Sequence, residues 1–347
     1  MTEQPHQIGS NGTRYLIVTI DTEIDQDPHW RIANPPTFSS VVDGIPRVLS
    51  PLFERYGVVP TYLLSPEVIE EPACVRMLRC LPGRIELGTH LHVDFIEPER
   101  RLFRHNMGGC RAAAVQKHCS ANIEKQKLEN LTKAFVAAFG FGPTAFRCGR
   151  YGMSDATLGI LAELGYQIDS SVTPGLFWKY DGEVVDFRGW SQQPVWVKTA
   201  GGSILELPLS IRPASWLSPI LRDLPMFPQR AMANRLLEQI AGYRWLRPSW
   251  SSGKELVRYV QEDSESFLVL MLHSTEVIAG ASPYAISSKG VRRIVEAMRT
   301  LFSFWTDAGY SFCSMTDAVR LVRTSGSEVY EDAFEHPPQT SSAVHAS

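Results

Sequence analysis

The chain carries almost no excess charge: its 34 Lys and Arg stand against 37 Asp and Glu, for a formal net charge of −3. A nucleic acid or an anionic membrane calls for clustered positive charge, so neither partner is expected. Long apolar runs are also missing. The longest, Tyr15–Ile20 and Phe267–Leu272, are strand-length and far short of the roughly 20 apolar residues that cross a bilayer. The leader over residues 1–14 is polar and lacks the apolar stretch of a secretory signal. These absences predict no transmembrane segment and a cytoplasmic location. The six cysteines (Cys74, Cys80, Cys110, Cys119, Cys148, Cys313) form no C-x-x-C pair and no dense framework, so they read as reduced core or surface thiols.

What is present is an ordinary globular balance, 44% hydrophobic and 20% charged over 347 residues, enough for a sizeable core. Tyr15–Ile20 is a β-branched run ending in acids, the mark of a buried strand. Helical spacing follows over 41–56, stopped by Gly57, then a strand over 59–64 and a short helix over 72–80. A strand over 84–89 runs into a histidine-rich turn. A long helix over 113–139, a strand over 144–147, a helix over 155–164 and a strand over 166–170 come next. Helices over 231–242, 254–261, 288–307 and 316–323, with strands over 267–272 and 310–313, close the pattern. Alternating short strands and helices predict an α/β fold with a parallel sheet or barrel.

The rhythm breaks over 175–230, which is rich in Trp, Pro and Gly and predicts an insertion with a hairpin of 194–198 against 203–207. The catalytic region is expected to span 15–324, and the polar stretch 325–347 is expected to be a disordered tail.

Chemistry in parallel α/β folds gathers at the carboxyl ends of strands, and five such places here carry polar groups. Asp21–Thr–Glu23 follows the first strand; two carboxylates so close repel unless a cation or arginine intervenes. Alone, the pair could equally be a solvated acidic loop or a helix cap. In Gly88–Thr–His90–Leu–His92–Val–Asp94 an H-x-H pair can face one metal ion, and His90 with Asp94 offers the four-residue spacing instead. Arg147 and Arg150, in Arg147–Cys–Gly–Arg150–Tyr151–Gly152, could clamp a carboxylate. Asp169–Ser–Ser–Val172 and Leu272–His273–Ser–Thr–Glu276 each follow an apolar strand, and a strand-end His with a carboxylate partner suits a general acid.

Taken in order, these five segments resemble the five motifs of the polysaccharide deacetylases, the carbohydrate esterases that share the nodulation-factor deacetylase domain. The resemblance runs from Tyr15 to about Val322 and includes Ala308–Phe312 with Ser314–Asp317. It implies a distorted (β/α)7-type barrel with a loop and hairpin insertion, a divalent metal ion, zinc first among candidates, and removal of an N-acetyl group from an amino sugar in a glycan or its precursor.

By this resemblance Asp21 matches the catalytic base, Glu23 the metal-binding carboxylate and His90 the first metal histidine. The second family histidine usually stands four residues on, where this chain has Asp94. Either Asp94 binds in its place or His92 does, and imidazole is the better ligand for a first-row metal. Arg147 matches the arginine paired with the base, with Arg150 near enough to compete. Tyr151 resembles the aromatic residue whose backbone N–H helps hold the oxyanion. The family's usual proline in that motif is missing. Asp169 resembles the residue that orients the catalytic histidine, and His273 resembles that histidine, the acid for the leaving amine.

Substrate contacts are expected from Trp30, Arg150 and Trp178, and from the other tryptophans of the insertion, Trp190, Trp196 and Trp216, whose faces suit sugar rings or simply cover the barrel. Two other functions share this pattern: cleavage of small cyclic or linear amides on the same barrel, and carbohydrate binding without turnover.

Overall fold

The computed structural model describes residues 13–101, 114–215, 218, 242–325 and 329–330. Strand β1 (Tyr15–Thr22) lies at the centre of the fold because Leu16, Ile17, Val18 and Ile20 are all fully buried, a run hydrophobic on both faces. It pairs in parallel with β12 (Phe267–His273) on one side. On the other it pairs with β2 (Pro60–Leu64) and, at its start, with β13 (Ser311–Phe312). From β2 the sheet continues through β3 (Glu86–Leu91), β4 (Ala145–Cys148), β5 (Ile168–Asp169), β9 (Gly202–Glu206), β8 (Val195–Thr199) and β14 (Val329–Tyr330).

All pairings are parallel except β8 with β9. The path ends at β12 and β14, so the described strands make an open α/β sheet and their hydrogen bonds do not close into a barrel. Two smaller hairpins stand apart, β6 (Phe177–Tyr180) with β7 (Glu183–Asp186) and β10 (Ile211–Pro213) with β11 (Tyr243–Trp245).

Helices cover the sheet. A π-wound segment, Ser40–Leu49, contains Pro46 and runs into α1 (Ser50–Tyr56), which stops at Gly57 in a left-handed conformation. Short helices α2 (Pro66–Glu70) and α3 (Pro72–Arg79) precede β3, and α4 (Ala121–Phe139) and α5 (Thr157–Glu163) flank β4. After β11 come α6 (Gly253–Glu262), α7 (Ser288–Asp307) and α8 (Met315–Ser325).

α7 shows why these segments are helical. The Ser287 hydroxyl accepts the Gly290 N–H at its start, and Ile294, Ala297, Met298, Leu301, Phe302 and Trp305 form one buried stripe. Trp305 is fully buried, and truncating it to Ala would cost about 3–5 kcal/mol. No described helix is long and apolar enough to cross a membrane.

The sequence-based boundaries need three corrections. The hairpin expected inside an insertion is β8–β9, and β9 joins the main sheet beside β5, so those residues are part of the scaffold. The tail expected to lack structure supplies Val329–Tyr330, which pair in parallel with Trp196–Val197. Helix 113–139 begins at Ala121, where the Ser120 hydroxyl caps it by accepting the Ile123 N–H. The helix expected over 231–242, and Trp216, lie outside the described residues, apart from residue 242.

Candidate active site

Sheet register places the polar groups. Asp21 on β1 stands level with His273 on β12 and Leu63 on β2. His90 on β3 stands level with Arg147 on β4, and Phe146 one residue earlier with Asp169 on β5. These residues share the carboxyl edge of one sheet, where strand ends lead into loops.

Glu23 lies just beyond β1 and is buried. Its Oε1 is 3.0 Å from Nε2 of His90 and 3.0 Å from Nε2 of His92. Nδ1 of His90 stands 3.0 Å from the Arg147 carbonyl oxygen, which can only accept, so that nitrogen carries the hydrogen. A neutral His90 then turns a bare Nε2 toward a carboxylate oxygen. Two acceptors at that distance need a proton or a cation between them. Nδ1 of His92 is buried without a partner. Gly149 makes room for that ring: a Cβ at Gly149 would lie 2.9 Å from Nδ1 of His92 and 2.5 Å from the Leu91 carbonyl oxygen.

The donor set fits a divalent ion. Ligand atoms about 2 Å from one ion stand roughly 3 Å apart, and one carboxylate with two imidazoles is a known catalytic zinc set. Burial and Arg150 hold His92 down to about 4, against the pull of Glu23, so it is the neutral imidazole a metal requires. Burial pulls His90 down, but Asp21 and Glu23 outweigh it and raise its pKa. For Glu23, burial raises the acid and the two histidines more than reverse this, holding it well below the usual range.

Asp21, also buried, accepts a 2.6 Å hydrogen bond at Oδ1 from Arg147. The guanidinium is fixed from every side: Nε donates to the Ser170 carbonyl, and its other amine to the hydroxyls of Thr19 and Ser170. Burial raises Asp21, but Arg147, His90 and His273 together leave it lowered, and therefore ionised. One ligand atom each of Asp21, Glu23 and His273 lies within 4.8 Å of the others, so the ends of β1 and β12 converge.

His273 presents a side chain 15% exposed. Its Nδ1 is 3.0 Å from Oε1 of Glu276 and 2.9 Å from a guanidinium nitrogen of Arg247, leaving Nε2 for a ligand. Arg247 also donates to Glu276 at 2.5 Å and packs against the rings of Trp250 and Tyr284, each 4.4 Å from its guanidinium carbon. Burial pushes Glu276 up, yet Arg247 and His273 hold it at about 2.

Rings continue away from this corner without a break: Tyr284 against Trp250, Trp250 against Trp245, Trp245 against Tyr151, and Tyr151 stacked on Trp178. Trp30 meets Tyr284 edge-on at 5.4 Å. Trp30, Arg150 and Tyr151 all have left-handed backbones, at φ 63°, 57° and 57°, a strained geometry for bulky residues that concentrates at functional sites.

Several sequence-based assignments change. Asp94 is not in the cluster: its Oδ2 accepts the Ala114 N–H at 3.1 Å and faces Arg150 at 3.5 Å, because the chain turns into a 3₁₀ segment at Val93–Phe95. Arg150 holds that loop, also donating to the Ala114 carbonyl, and neither competes for Asp21 nor reaches the aromatic wall through its guanidinium. Asp169 does not orient His273; it bonds the Ser171 hydroxyl, and Glu276 stands at the imidazole in its place.

Trp196 is buried in β8 under Arg323, part of the scaffold. Asp25 caps the Ser40 helix through the N–H groups of Ser39 and Ser40. Arg247, Trp245, Trp250 and Tyr284 escaped notice in the sequence, where the only signal was the dense Tyr243–Arg–Trp–Leu–Arg–Pro–Ser–Trp250 run.

An open α/β sheet with these groups at its carboxyl edge is a fold this chain shares with solved structures of polysaccharide deacetylases and of an allantoinase. No protein-family model matches the chain, and no curated protein matches it. Solved structures do. One from Mycobacterium smegmatis, described as a polysaccharide deacetylase, covers 95% of this chain and 97% of its own at 13% identity and a TM-score of 0.51. Puue allantoinase covers 94% and 96% at 11% identity and a TM-score of 0.52. Likeness at these identities is likeness of fold.

Proposed function

We propose that the protein is a metal-dependent hydrolase of acyl–nitrogen bonds, and that its substrate is an N-acetylated amino sugar in a glycan or glycan precursor. The observation that carries this reading is the convergence of His90 Nε2 and His92 Nε2 on Glu23 Oε1, each at 3.0 Å, with Asp21 fixed by Arg147 close by.

Glu23, His90 and His92 would hold the ion, zinc first among candidates. When bound, it would polarise the acyl carbonyl and lower the pKa of water. Asp21 is ionised and has Oδ1 committed to Arg147, so Oδ2 takes the proton of the attacking water. His273, anchored at Nδ1, gives a proton from Nε2 to the departing nitrogen. In this reading the Tyr151 backbone N–H, on the Gly149–Tyr151 turn, would help stabilise the oxyanion. Trp30, Trp178 and the rings between them suit the apolar faces of sugars.

A second reading draws on the shared fold with Puue allantoinase: hydrolysis of a small cyclic amide or ureide at the same groups. Chelator-stripped protein, reloaded with zinc or cobalt, should release acetate from N-acetylglucosamine oligomers and leave hydantoin intact. Hydantoin opening without acetate release would select the second reading. Sugar binding with no turnover of either would reject both.

A further inference from the structure

Two carboxyl groups outside the reacting cluster lie side by side. β5 and β9 run parallel, and Asp169 stands level with Glu206 in their register. Both side chains are fully buried. One oxygen of each is satisfied: the Ser171 hydroxyl donates to Asp169 Oδ1 at 2.6 Å, and the Val172 N–H to Glu206 Oε1 at 3.0 Å. The other oxygens, Asp169 Oδ2 and Glu206 Oε2, are buried with no hydrogen-bond partner, on two side chains that the parallel register sets next to each other. Two ionised carboxylates cannot be left so in a dry interior. Arg147 lies near and its charge favours the ionised acids, but its four hydrogen bonds go to Asp21, Thr19 and Ser170 and none to the pair.

We propose that Asp169 and Glu206 share one proton between Oδ2 and Oε2, and that this dyad is a positioning device for Asp21. The path is short. The dyad grips the turn after β5 at two points, the Ser171 hydroxyl and the Val172 N–H. Ser171 also accepts the Cys148 N–H at the end of β4. Between them, Ser170 accepts from Arg147 through its carbonyl and its hydroxyl, and Arg147 holds Asp21.

The groups facing the dyad are Arg147, the Cys148 thiol, the Ser170 backbone and the Ser171 hydroxyl. Burial raises both acids, Glu206 well above the ordinary range, which agrees with a retained proton. The role given to Asp21 rests on the hydrolase reading above; the shared proton does not.

The test follows the proton first. A protonated-carboxyl infrared band in the wild type at neutral pH should disappear in Glu206→Gln, whose amide can donate to Asp169 and still accept from Val172. An acid raised in the folded state costs stability as pH climbs above its unfolded value of 4.5. Glu206→Gln should therefore melt higher than wild type, with a gap that widens from pH 5 to pH 8.

No band lost, together with a gap that does not change with pH, would overturn the dyad. On the activity arm, Glu206→Ala should lower kcat/KM at pH 6 about tenfold or more and move the acid limb of the profile upward, with glutamine restoring both. An unmoved acid limb in a folded Glu206→Ala protein would remove the positioning role. Should alanine fail to fold, the glutamine measurements still decide the proton. Loss of the whole activity reading would leave the infrared result standing.

Discussion

Two corners of one cleft are built in opposite ways. The metal corner is local: Glu23 follows its strand by one residue, His90 and His92 share a strand end, and His90 stands level with Arg147 in parallel register. The histidine corner is assembled around His273, the last residue of β12, from separate loops that bring Arg247 and Trp250 after β11, Glu276 after β12, and Tyr284 further on. In the metal corner two imidazole nitrogens converge on a single carboxylate oxygen. The histidine corner is closed on itself, its carboxylate already neutralised by a guanidinium. Strand ends can impose an unsatisfied cluster because the sheet behind them does not yield; loops hold a polar group buried only when they bring its partner along.

Removing the cation's ligands separates the corners most sharply. Glu23→Ala and His90→Ala should lose the bound ion by elemental analysis and about a thousandfold in turnover, since the ion contributes several kcal/mol to the transition state. An equal loss with the ion retained would locate the chemistry elsewhere.

Next in size is Arg247→Ala, which leaves Glu276 buried without its guanidinium partner and with only His273 beside it. Thermal melting should report about 3–5 kcal/mol of lost stability while the ion stays bound. A change below 1 kcal/mol would mean the histidine corner is not closed as described.

Acid probes the same pair more gently. Glu276 falls from 4.5 to about 2 on folding, so its contribution is present above 4.5 and is lost as pH drops toward 2, on the order of 3 kcal/mol. The stability gap between wild type and Glu276→Gln should therefore shrink over that interval; a constant gap would contradict the pairing. Smallest of all, Asp94→Ala should keep the ion and cost about 1.5 kcal/mol through the freed Ala114 N–H. Loss of the ion would restore Asp94 as a ligand.

The same contrast explains what could be read from the sequence. Asp21, Glu23, His90, His92 and Arg147 were legible because each sits at the end of an apolar run, and strand ends at one sheet edge meet. The choice between His92 and Asp94 turned on a local bend after Leu91, which spacing cannot reveal. Asp169 was misread because its strand is only two residues long and its neighbour Glu206 lies 37 positions away, on a strand expected to belong to an insertion. Arg247 and Tyr284 had no periodic pattern to mark them, since loops that close on each other leave no such trace. Closure of the sheet was not legible either: alternation of strands and helices fixes parallel pairing but not whether the first and last strands meet.

Gly149 bears on how this protein tolerates change. It contributes no charge, no donor side chain and no ligand, yet one added methyl group would collide with the ring of His92 and with the chain that carries it. A substitution survey scored by ion retention should rank this silent position with the histidines themselves, and a designer wishing to evict the ion while sparing every polar group could do it there with a single carbon.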